Sequence, residues 1–123
     1  MKLINDFFHI VSTQSDDGVF RCRVRLNANH PYYQVHFPGN PVTPGVCLVQ
    51  MATEILEEKY DRKFLLSSAG SIKFKKTVGP HDEPTFVFTK IVFEDELLRV
   101  NVSVESEDVQ YAKMSLRYKG IER

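Results

Sequence analysis

Polar and apolar residues alternate strictly along much of this chain. Phe20, Cys22, Val24 and Leu26 alternate with Arg21, Arg23 and Arg25. Leu98, Val100, Val102 and Val104 alternate with Arg99, Asn101, Ser103 and Glu105, and Ala112, Met114, Leu116 and Tyr118 with Lys113, Ser115, Arg117 and Lys119. A period of two predicts strands with one face buried. Residues 7–13, 63–76 and 84–93 are also β-rich. Turn signals separate these runs at Asp16-Asp17-Gly18, Gly79-Pro80-His81-Asp82 and Glu94-Asp95. Such short spacings predict antiparallel hairpins rather than βαβ units.

One segment breaks the pattern. Thr43 suits an N-cap and Pro44 a first helical residue. Residues 46–56 then carry apolar side chains around most of a helical circumference, which predicts a helix buried nearly all round. Glu57, Glu58 and Lys59 mark its exit to solvent. One buried helix with five or six antiparallel strands predicts an α+β fold, a sheet curled around a central helix.

The length of 123 residues predicts one domain spanning 1–123. Lys+Arg and Asp+Glu balance at 16 each, so no global field favours nucleic acid or a membrane, and any charged docking site must be local. The first residues lack the apolar core of a secretory leader, and no run reaches transmembrane length. Cys22 and Cys47 are too few for a disulfide framework and fit no metal site. The expectation is a cytoplasmic protein with reduced thiols, no metal and no redox cofactor.

The candidate chemistry lies between residues 36 and 54. His36-Phe37-Pro38-Gly39-Asn40-Pro41 places a histidine in a Pro/Gly-rich turn, and Val42-Thr43-Pro44-Gly45-Val46 leads into the helix. A neutral imidazole is well poised as a base near neutral pH. A helix start offers unpaired N–H groups and positive potential, and Gly45 permits close approach to them. Gln50 and Glu54 follow one turn apart. Cys47 also sits near the helix start, where small-hydrophobe packing outweighs a nucleophilic role because no base stands beside it in the sequence.

The stretch 36–46 resembles the 3-hydroxyacyl-acyl-carrier-protein dehydratases, a family of the hotdog fold. Ser71-Ile72-Lys73-Phe74-Lys75-Lys76-Thr77-Val78-Gly79-Pro80-His81-Asp82 resembles that family's later strand and turn, with His81 where glycine is usual. The resemblance implies that His36 removes the C2 proton of a 3-hydroxyacyl thioester, carried by an acyl-carrier protein or coenzyme A. It implies that amides at Gly45 and Val46 polarise the carbonyl, and that a helix carboxylic acid protonates the departing hydroxyl. It further implies a homodimer or a higher oligomer of dimers, or a heterodimer with a paralogue, with the site at the interface. The product would be a trans-2-enoyl thioester in fatty-acid, polyketide, pigment or related lipid synthesis.

The chain departs from this pattern at the acid. Fourteen residues after the histidine stands Gln50, which cannot donate a proton as an acid. Glu54 stands where the family usually has glutamine. Positions i and i+4 share a face, so Glu54 would project beside Gln50, about 6 Å further along the axis. Glu54 is thus a candidate replacement acid, or the start of a solvated face with Glu57 and Glu58. Gln50 is a candidate substrate contact or a structural amide. Lys73, Lys75 and Lys76, and separately Arg21, Arg23 and Arg25, are candidate docking groups for an acidic carrier protein. A hotdog thioesterase and a degenerate acyl-binding subunit completing a partner's site are the alternative functions.

Overall fold

The structure is a computed structural model that describes residues 2–35 and 39–121. Among these, six strands form one antiparallel sheet in the order β1-β2-β4-β5-β6-β3. They are β1 (Phe8–Asp16), β2 (Val19–Leu26), β3 (Lys63–Phe74), β4 (Thr85–Glu94), β5 (Leu97–Ser106) and β6 (Val109–Ile121). The main helix is α2 (Gly45–Tyr60), preceded by the short α1 (Pro31–Val35). This is the α+β arrangement of one antiparallel sheet and one long helix that the alternation predicts, and the hotdog fold that the resemblance implies.

The register explains the burial. Val100, Val102 and Val104 of β5 pair with Leu116, Met114 and Ala112 of β6, and all six are buried against α2. Side chains of successive strand residues point to opposite faces, so Arg99, Asn101 and Ser103 face outward. The first hairpin closes on Asp17 and Gly18, both at positive φ, the geometry of a two-residue type I′ turn. β3 is an edge strand interrupted at Leu66/Ser68 and Ala69/Ser71, and only Phe64 of its residues is buried.

Two local features differ from expectation. Helix α2 begins at Gly45 with Pro44 as its N-cap, and no side chain caps it. Thr43 is instead engaged by the Tyr33 hydroxyl at 2.8 Å. α1 was not expected. His30 precedes it and accepts the Tyr32 N–H on Nδ1, leaving Nε2 to donate to Asp6 Oδ2 at 3.1 Å. His30 is therefore a buried capping residue in the turn before α1. The two tyrosines of α1 pack as aromatics: Tyr33 is buried and stacks on Phe7 with ring centroids 5.2 Å apart, and Tyr32 meets Phe7 at 5.8 Å.

Candidate active site

His36, Phe37 and Pro38 lie outside the described residues. The candidate site is therefore built from the helix that follows them. Intrahelical bonding begins with the Cys47 and Leu48 N–H groups, both donating to Pro44 O. The N–H groups of Gly45 and Val46 have no hydrogen-bond partner among the described residues. They form the electropositive end of a helix sixteen residues long.

A cleft of about 380 Å³ opens beside them, lined on one side by Thr43, Pro44, Gly45 and Leu48 and on the other by Phe74, Lys75 and Lys76. The Phe74 ring lies directly over Gly45. A Cβ at position 45 would sit 2.6 Å from Phe74 Cζ, so only glycine admits this contact. Phe74 itself remains 53% exposed. The close approach expected at Gly45 is thus taken by an aromatic ring, one face of which walls the cleft.

Gln50 and Glu54 lie elsewhere. Five residues of helix separate Gly45 from Gln50, about 7.5 Å along the axis and about 140° around it. Gln50 and Glu54 line a second depression, with Lys2, Ile4, Glu57, Glu58, Asp61 and Arg62. Neither residue lines the Gly45 cleft.

Glu54 is 4% exposed, so it does not begin a solvated face. The N-terminal segment folds back over it. Leu3 N–H donates to Oε1 at 2.9 Å and Oε2 at 2.8 Å, and Ile4 N–H donates to Oε1 at 2.7 Å. Gln50 Nε2 donates to Oε2 at 2.7 Å. Every one of these groups is a donor, so the carboxylate serves as an acceptor. A proton on either oxygen would face an N–H already pointing at it. Gln50, held by the same carboxylate, presents its amide in a fixed orientation.

The remaining candidates separate by environment. Burial pushes the Cys47 thiol up, against the stabilisation that a helix start would give a thiolate. Arg25 and Arg23 share Glu83 at 3.1 and 3.0 Å and hold its carboxyl below the usual range, so two of the three β2 arginines are already paired. Lys75 and Lys76 line the cleft, and Lys75 donates to Gln110. Lys73 lies apart from them, on the outer sheet face beside Lys113. The sequence reasoning missed Phe74 as a wall of the cleft. Its signal was the phenylalanine between Lys73 and Lys75, whose place opposite Gly45 only the fold reveals.

Residues 12–115 match the ApeI-like family model, described as ApeI dehydratase. The 3-hydroxyacyl-[acyl-carrier-protein] dehydratase FabZ of Lactobacillus helveticus is 35% identical over 94 residues, which is 71% of this chain and 64% of that one. Other curated dehydratases of the same name match over about half of their length. Among solved structures, the dehydratase heterocomplex ApeI:P from Xenorhabdus doucetiae superposes with a TM-score of 0.73 at 14% identity, covering 90% of this chain and 96% of that one. A hypothetical thioesterase with coenzyme A from Streptococcus pneumoniae gives 0.65 at 13% identity, covering 98% and 93%. These two structural likenesses carry the fold.

Proposed function

This chain belongs to the ApeI-like dehydratase family, and on that footing we propose that it converts a 3-hydroxyacyl thioester to the trans-2-enoyl thioester. The observation that carries the reading is the family match over residues 12–115, which includes the whole stretch from His36 to Glu54. His36 takes the C2 proton. The C2–H electron pair becomes the new double bond, the C3–O bond breaks, and the departing oxygen takes the proton from the His36 imidazolium and leaves as water. The N–H groups of Gly45 and Val46 stabilise charge that develops on the carbonyl oxygen. Gln50, oriented by Glu54, hydrogen-bonds the C3 hydroxyl. The acyl group arrives on an acidic carrier protein drawn by Lys73, Lys75 and Lys76, or on coenzyme A, in a reducing compartment that suits the two free cysteines.

The working unit is a dimer. The Gly45 cleft and the Gln50 groove open on different sides of α2, so one substrate reaches both only if two chains contribute. The exposed edge of β3, with Leu66, Ile72 and Phe74 along it, supplies a seam. Light scattering of the purified chain is expected to return the mass of two chains. A monomer that is active would remove the two-chain site.

The hydroxide leaving C3 needs a proton that Gln50 cannot give and that Glu54, as an acceptor of four hydrogen bonds, is poorly placed to give. This favours a second reading, in which a paralogous chain brings the acid. The solved neighbour is itself described as a dehydratase heterocomplex. Purified protein should be given a 3-hydroxyacyl thioester and its products resolved. Enoyl thioester supports dehydration, and release of free thiol would replace it with thioester hydrolysis. Enoyl product only after addition of a paralogue would establish the composite site.

A further inference from the structure

Two segments flank the turn that carries His36: α1, which ends at Val35, and the residues that lead into α2 at Gly45. A side-chain contact joins them across the base of the turn. The Tyr33 hydroxyl lies 2.8 Å from Thr43 Oγ1, and both residues are buried. The two are ten residues apart in sequence. An extended chain of that length reaches roughly 33–36 Å. The hydroxyl pair thus closes a loop whose ends could otherwise part widely.

Each end of the loop is held by groups from elsewhere in the fold. At the exit, Thr43 N–H donates to Val78 O at 2.7 Å. At the entry, α1 has only five residues, too few to form a stable helix unaided. His30 Nδ1 caps it, Asp6 accepts from His30 Nε2, and Phe7 stacks on Tyr33. Asn27 in turn ties Asp6 and Phe7 down through their carbonyl oxygens. The stack on Phe7 requires only a ring at position 33. The hydroxyl is an added polar group in a buried place, where it costs stability unless it is bonded. Burial pushes that hydroxyl up to about 12, so it keeps its proton near neutral pH and the bond to Thr43 persists there.

We propose that Tyr33 is a positioning residue for His36: its bond to Thr43 closes the base of the turn and holds the histidine in register with the Gly45 end of α2. This deepens the dehydratase reading and rests on it for the role of His36. Tyr33 acts through the turn and touches no substrate. A general base works only within hydrogen-bond reach of the proton it takes. A displacement of about 1 Å, caused by a change away from the chemistry, costs on the order of 10²-fold. Loss of the clamp therefore leaves the basicity of His36 alone and lowers the fraction of turns in which it meets C2. The exit end stays held by Val78, so the loosening falls on the turn and α1 rather than on the helix start.

The test compares the full chain with Tyr33→Phe, Thr43→Val and the double variant on an N-acetylcysteamine 3-hydroxyacyl thioester. Tyr33→Phe is expected to lower kcat roughly tenfold or more, with KM within about twofold. The double variant should be no slower than the slower single one, because both changes remove the same bond. Thr43→Ser, which keeps a hydroxyl, should lose less than Thr43→Val. The fractional loss in Tyr33→Phe should be the same along the pH profile, since the clamp is a pair of neutral hydroxyls. Amide exchange at Tyr33 and Thr43 should accelerate while β5 and β6 stay protected. A kcat within twofold of wild type in Tyr33→Phe overturns the proposal. So does loss of the alkaline limb alone, which would make Tyr33 a proton donor, and so does exchange that quickens equally throughout the sheet, which would make it a core residue only. If wild type forms no enoyl product, the dehydratase reading fails. Exchange then decides the clamp by itself, and unchanged rates at both amides overturn it.

Discussion

Replacing His36 with alanine is expected to lower enoyl-thioester formation by roughly 10²–10⁴-fold, the usual worth of a positioned general base. That is about 3–5 kcal/mol of barrier at 1.36 kcal/mol per tenfold. The C2 proton of a thioester is weakly acidic, and nothing else in the 36–54 stretch offers an imidazole base near neutral pH. Gln50 has no base to offer, and burial keeps Cys47 as a thiol. The effect should fall on kcat rather than on KM, because the lost interaction is made as the proton transfers. Initial rates on a small 3-hydroxyacyl thioester, with the folded fraction checked by circular dichroism, measure it. A rate within threefold of wild type would remove His36 from the chemistry.

Glu54→Ala should chiefly disturb the fold. The carboxylate accepts from Leu3, Ile4 and Gln50, and Leu3 and Phe7 are buried in the core. Hydrogen bonds to a charged group contribute about 1.5–3 kcal/mol each, but their loss is not additive and the freed N–H groups regain water if the N-terminus detaches. A net cost of about 3 kcal/mol follows, equivalent to a melting point lower by roughly 10 °C. Hydrogen exchange at Leu3 and Ile4 should accelerate more than in β5 and β6, since the segment opens locally before the sheet does. An unchanged melting point together with unchanged exchange would mean that Glu54 does not hold the N-terminus.

The strands and the long helix were legible because burial on one face imposes a period that the sequence must obey. β2 follows it over its whole length, β5 from Leu97 to Val104 and β6 from Ala112 to Ile121. β3 was legible only as β-rich, because its two irregularities at Leu66/Ser68 and Ala69/Ser71 break the alternation. α1 escaped because five residues with two tyrosines carry no helical period, and its cap is a histidine side chain rather than the usual serine or aspartate. Thr43 was the better N-cap by residue type, but a hydroxyl from Tyr33, ten residues back, engages it. Glu54 shows the same limit at the site. A helical wheel groups it with Glu57 and Glu58, whereas the group that buries it lies about fifty residues earlier in the chain. Contacts between distant segments decide the role of a polar residue, and local pattern carries no record of them.

We propose that labour is divided between two copies of α2: the start of one stabilises the reacting carbonyl, Gln50 of the other meets the hydroxyl, and Glu54 holds Gln50 and the N-terminal segment. The most direct measurement is the rate of enoyl-thioester formation by Glu54→Gln per folded molecule, at a temperature where the variant is fully folded. Glutamine keeps an acceptor oxygen for Leu3 and Ile4 but carries no acidic proton. The rate is predicted to stay within about tenfold of wild type. A loss of about 10³-fold or more in fully folded protein would make Glu54 the acid and contradict the account.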